Sequence, residues 1–187
     1  MKHPSVLADA LQSAPTGKLR ATLVRRVPLS PLIESRAVDY LFMSGRAYRF
    51  NPAGVACVYF AADETTAEAE YERHNWPLRQ PFVTFFAEVA LEAVLDLCSA
   101  GALEAVGLNQ HDLQANWARA QQPTTTQLLG EAVSQQSRIT AIRFPSDAAR
   151  MKGFIGANVV IFRNCVRRPD HVRVLGPTKK PLQQWPA

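Results

Sequence analysis

Runs of β-branched and aromatic residues recur at irregular intervals, with helical stretches between them in no regular strand–helix alternation. That irregularity constrains the fold most. A repeated βαβ rhythm would specify an all-parallel, doubly wound sheet. Its absence predicts a compact α+β domain around a central mixed β-sheet. Strands are expected over 20–27, 55–60, 82–90, 139–144 and 157–162, with 171–175 as a further candidate. Helices are expected over 4–13, 63–74, 111–121 and 124–137. Residues 91–106 suit either a helix or a strand followed by a short helix. Residues 32–54 read mostly as loop, and the proline-rich tail 176–187 as extended or loosely held.

A chain of 187 residues fits a single domain, with its core over about 20–175. Hydrophobic residues make up 47% and charged residues 20%, the balance of an ordinary soluble protein. A net charge of +5 favours anionic partners without selecting one. Cys57, Cys98 and Cys165 lie in apolar surroundings and read as buried thiols in a reducing compartment. No CxxC or paired Cys/His spacing argues for zinc, so no metal is expected. The first residues lack the apolar core of a signal peptide, and no run approaches a membrane span of about 20 residues. The expected location is cytoplasmic, with no membrane partner.

The stretch from Arg49 to Glu70 concentrates the chemistry. Arg49 opens an Asn51-Pro52-Ala53-Gly54 turn, Tyr59 lies in an apolar strand ten residues on, and Glu70 falls on a helix eleven further. Arginine forks match phosphate oxygens bidentately. Arg46, three residues earlier, is a rival for that role. Tyr59 suits the core as well as a site. On the helix, Glu64, Glu68 and Glu72 form one solvated stripe at i, i+4, i+8. Glu70 lies roughly 160° from Glu68 and Glu72 around the axis, on the side of Ala67, Tyr71 and His74. A carboxylate on an inward face must be paired, protonated or functional. Ser146 follows a strand end, where a serine can cap a helix or touch a ligand. Together the arginine, tyrosine and glutamate suggest a site for a phosphorylated nucleotide with one catalytic acid.

The run Gly45-Arg46-Ala47-Tyr48-Arg49-Phe50-Asn51-Pro52-Ala53-Gly54-Val55-Ala56-Cys57-Val58-Tyr59, followed by Glu70, resembles the signature of RES-domain toxins. Thr126-Gln127-Leu128-Leu129-Gly130, Arg143-Phe144-Pro145-Ser146 and Asn158-Val159-Val160-Ile161-Phe162 resemble that family's later helix, serine motif and following strand. Arg26 looks like a second arginine of its site. The similarity spans roughly residues 20–175. The chain departs from the pattern at Tyr48, where the family has a glycine, at Phe50 for tryptophan and at Ala53 for the second proline. Ser146-Asp147-Ala148-Ala149-Arg150 stands for the usual Ser-Ala-Arg.

The resemblance implies a fold related to ADP-ribosyltransferases, NAD as substrate, and pairing with an Xre-type antitoxin that blocks the site. It implies release of nicotinamide by hydrolysis or phosphorolysis, or alternatively transfer of ADP-ribose to a protein. Glu70 would stabilise the charge that develops on the ribose as in glycoside cleavage. Arg26 and Arg49 would grip the diphosphate. Tyr59 and Ser146 would meet the nicotinamide end. A competing reading is a nucleic-acid-binding module using Arg163, Arg167, Arg168, Lys179 and Lys180. It lacks base-stacking motifs, and direct nucleic-acid contact is not expected.

Overall fold

In a computed structural model, which describes residues 4–30, 46–75, 80–136, 138–176 and 178–186, the longest strand organises the architecture. The elements run α1 (Pro4–Ser13), β1 (Gly17–Pro28), β2 (Cys57–Ala61), α2 (Glu64–Asn75), β3 (Phe82–Asp96), α3 (Ala100–Ala105), α4 (Gln110–Gln114), a 3₁₀ turn (Trp117–Arg119) and α5 (Thr125–Gln135). They continue through β4 (Ala141–Pro145), α6 (Asp147–Met151), β5 (Ala157–Phe162), β6 (His171–Leu175) and β7 (Pro181–Trp185).

The strands form one seven-stranded sheet in the order β1-β2-β5-β4-β3-β6-β7. β1 also pairs with β3, so the first five strands of that order close into a ring. Val24 makes the closure, facing Ala61 of β2 on one edge and Phe86 of β3 on the other. β3 and β4 run parallel, and the other neighbours run antiparallel. The mixed-sheet α+β architecture expected from the sequence is therefore the one present.

Period-two alternation sorts the apolar side chains into two cores. Val58, Phe60, Val159 and Ile161 point into one cluster with Leu23, Val89 and Leu91. Their neighbours Cys57, Val160 and Phe162 point into the other, with Leu7 and Leu11 of α1 and Leu129 and Val133 of α5. β5 lies between β2 and β4 and is buried throughout, which explains its almost wholly apolar sequence.

Several expectations change. The ambiguous stretch 91–106 is the continuation of β3 followed by α3. The helix expected over 111–121 stops after one turn of α4. Its Asn109–Asp112 capping box starts it well, but Leu113 is its sole buried residue, too little burial to propagate a helix. The tail is not loose over 181–185. It adds β7 to β6, with Trp185 packed against the core that holds Leu23, Val89 and Leu91. Cys98 is exposed, in a turn after β3, whereas Cys57 and Cys165 are buried. Most of the loop expected over 32–54 lies outside the described residues. No helix among the described residues is long and apolar enough to cross a membrane.

Candidate active site

Sheet register brings the site together. β2 and β4 both run antiparallel to β5, so they end at the same edge, where β5 begins. Ala61 faces Asn158, and Pro145 faces Ala157. α2 leaves from the end of β2 and α6 from the end of β4, and the two helices pack together. Gly156 sits between them. A Cβ there would lie 2.5 Å from Thr66 Oγ1 and 2.7 Å from Ala149 Cβ. The residue has to be glycine for the helices to come this close. Asp63 caps α2, accepting from the Thr66 amide at 2.7 Å and the Thr66 hydroxyl at 3.0 Å.

At this junction Ser146 Oγ donates to Glu70 Oε1 at 2.6 Å, and Asn158 Nδ2 donates to the same oxygen at 2.7 Å. The Ser146 hydroxyl also caps α6, accepting from the Ala149 amide. Glu70 is thus held by one oxygen. Its Oε2 has His74 Nδ1 at 3.8 Å, and that ring nitrogen already bonds the Glu70 carbonyl oxygen at 2.8 Å. Ala67 and Tyr71 are buried beside Glu70 as expected, but His74 is 58% exposed. The glutamate stripe is not merely solvated, since Glu68 pairs with Arg26 and Glu72 with Lys152.

The Tyr48–Asn51 turn forms the next wall. Phe50 is fully buried and packs on Phe144 with ring centroids 4.5 Å apart. Such burial stabilises by about 3 kcal/mol and holds the turn against the core. The Tyr59 hydroxyl accepts from the Phe50 amide at 3.0 Å and donates to Asn51 Oδ1 at 2.9 Å. Burial pushes the Tyr59 proton well above its ordinary range, so it stays a donor to Asn51. α5 braces the turn from behind. Gln127 Nε2 donates to the Tyr48 carbonyl at 2.9 Å, and Gly130 lies directly against the Phe50 backbone.

These elements enclose a cleft of about 820 Å3, within the usual range for small-molecule sites. Its described lining includes Arg25, Arg26, Arg46, Arg49 and Arg73, with Glu70 and Asp147 as the acids. Arginines outnumber carboxylates, so the cleft favours an anion. Arg26 stacks over Phe82 at 4.6 Å and lies 3.4 Å from Glu68, yet its buried Nε has no hydrogen-bond partner among the described residues. Arg49 donates to the Leu113 carbonyl and, at 2.5 Å, to Asp147 Oδ2. Tyr48, Tyr59 and Trp117 form an aromatic wall, with Tyr48 at 5.8 Å from Tyr59 and 5.7 Å from Trp117.

Of the residues singled out in the sequence, Glu70, Arg26, Arg49 and Tyr59 line this one cleft, as does the rival Arg46. Ser146 does not line it. The serine is 2% exposed and stands behind the carboxylate, with its hydroxyl bonded to Glu70. Tyr59 likewise has its hydroxyl engaged within the chain and offers the cleft its ring. Asn158, Asp147 and Trp117 also line the cleft, although the sequence does not single them out as site residues. Asn158 did leave a signal, a buried amide in an otherwise apolar strand. Asp147 and Trp117 left none that periodicity could detect.

The described residues hold no grouping of His, Cys, Asp and Glu suited to a metal ion. Comparison with curated proteins finds no match. Among solved structures, the chain is similar to one in the crystal structure of the M. tuberculosis MbcT–MbcA toxin–antitoxin complex. The TM-score is 0.59 at 20% identity, covering 87% of this chain and 86% of that one, which supports a shared fold. Comparison with protein families matches residues 25–186 to the RES domain, nearly the whole chain, and the protein therefore belongs to the RES-domain family.

Proposed function

We propose that this protein is an NAD-degrading toxin that cleaves the nicotinamide–ribose bond, acts in the cytoplasm and is held in check by an antitoxin of the Xre type. The observation that carries the reading is Glu70. Its carboxylate is fixed through one oxygen by Ser146 and Asn158 in a cleft whose charged lining is mostly arginine. Family membership and the likeness to a chain of a toxin–antitoxin complex support the toxin assignment.

In this reading the diphosphate lies among Arg26, Arg46 and Arg49, and the unpartnered Nε of Arg26 suits such an anion. The N-glycosidic bond breaks with its electron pair moving to the pyridinium nitrogen. Nicotinamide leaves neutral, so no strong general acid is needed. Positive charge grows on the ribose, and Glu70 Oε2 stabilises it electrostatically. Water or phosphate then bonds to the anomeric carbon and loses its proton to solvent. The tyrosine and tryptophan rings give planar groups a surface to pack on.

The test is chromatographic measurement of nicotinamide from purified protein and NAD, with and without phosphate. Glu70→Gln, which preserves shape and removes charge, is expected to lower the rate about a thousandfold with unchanged thermal stability. Equal rates for the two proteins would refute the assignment. Label transferred to a protein would instead identify an ADP-ribosyltransferase using the same NAD site.

A further inference from the structure

Asp147 occupies a position that an incoming anion would favour. It opens α6 on the cleft wall and its side chain is 14% exposed. Oδ2 lies 2.5 Å from Arg49 Nη2 and 3.9 Å from Arg73 Nη1, and Oδ1 lies 3.6 Å from Arg150 Nε. Three guanidinium groups converge on one carboxylate. Two of the three, Arg49 and Arg73, line the cleft, and such a pair is suited to a phosphate-type ligand. Here a side chain of the same chain fills its centre, and Arg49 is bound by it on one side and by the Leu113 carbonyl on the other.

We infer that Asp147 is an internal anion that neutralises Arg49 and holds down the cleft's affinity for a diphosphate-bearing nucleotide. The inference rests on the nucleotide reading of this site and adds a residue that tunes it. The physical argument is one of sign. A diphosphate beside Arg49 either displaces the carboxylate or lies next to it, and both weaken binding through like charge. Asparagine keeps nearly the same volume and a carbonyl oxygen that can still accept from Arg49. Asp147→Asn therefore leaves the arginine placed but gives it back its full charge.

The experiment is calorimetric titration of wild type and Asp147→Asn with ADP at several salt concentrations, alongside steady-state NAD kinetics. ADP is expected to bind the variant about tenfold more tightly, equivalent to about 1.4 kcal/mol. The variant's affinity should also depend more steeply on salt. KM for NAD should fall in proportion with kcat unchanged, because the effect is uniform binding. A purely structural ion pair predicts the opposite direction. ADP affinity unchanged or weaker in the variant, or no ADP binding to either protein, overturns the inference. If ADP binding tightens while wild type releases no nicotinamide, the NAD-cleavage reading fails and this one stands. If nicotinamide is released but affinity does not improve, the reverse holds. Should the asparagine variant not fold, Asp147→Ser replaces it. Failure of both to fold makes the carboxylate a structural anchor and also overturns the inference.

Discussion

Glu70 depends on two side chains that reach it from other elements, and each should leave its own trace in kinetics. Asn158→Ala removes one donor to Oε1 and is expected to lower kcat about tenfold with little change in KM. Ser146→Ala removes the other donor and also the cap of α6, so it should additionally lower stability by about 1 kcal/mol in denaturant unfolding. The two effects should be non-additive, since both act on one oxygen. Cys57 lines the same cleft as a protonated thiol. Burial pushes its thiol up to about 12 from an ordinary 9.0. The folded chain therefore keeps a proton that the unfolded chain releases near pH 9, and the stability tied to that proton falls as pH rises from 9 towards 12. Cys98 and Cys165 are raised to about 11 and lose stability over the same interval, so this thiol's share, about 1 kcal/mol between pH 8 and pH 10, is read as the difference in guanidinium unfolding between wild type and Cys57→Ala. A difference between the two proteins that stays flat over that interval would count against the burial of Cys57.

At the scale of elements, α5 is what holds the arginine-bearing turn. Thr124 caps it by a reciprocal box with Gln127, so its start could be read from the sequence. Its role as a brace could not. Gly130 is the critical point, because a Cβ there would stand 1.6 Å from the Phe50 carbonyl oxygen, a backbone atom that cannot swing aside. Gly130→Ala should destabilise the fold by about 3 kcal/mol in denaturant unfolding and reduce nicotinamide release more than stability alone explains. An alanine variant as stable as wild type would show that the turn can yield. Gly156 serves similarly between α2 and α6, setting the spacing that lets Ser146 reach Glu70.

For the molecule as a whole, ring closure unites the two cores. β3 sends Val89 and Leu91 into one cluster and Leu95 into the other, while β2 and β5 alternate between them. Neither core can open without breaking strands that also serve its neighbour. Unfolding should therefore be a single cooperative transition, with circular dichroism and tryptophan fluorescence giving coincident curves. Two separated transitions would mean that the ring is not closed in solution. The expected loose tail belongs to this scale as well. Trp185 cannot reveal from local sequence that it packs on a core built by strands far earlier in the chain.

Local pattern determined most of the strands and helices, because side-chain alternation and capping act over a few residues, whereas the length of β3, the single turn of α4 and the strand β7 were decided by packing. It also exposed Glu70, whose position breaks the glutamate stripe, and it carried the motif that ties the chain to its family. Which groups meet was decided by tertiary structure. Antiparallel register places Asn158 and Ser146 beside Glu70, and a helix start places Asp147 against Arg49. Those contacts depend on strand order and helix spacing set by packing across the whole sheet, and no short window of sequence contains them.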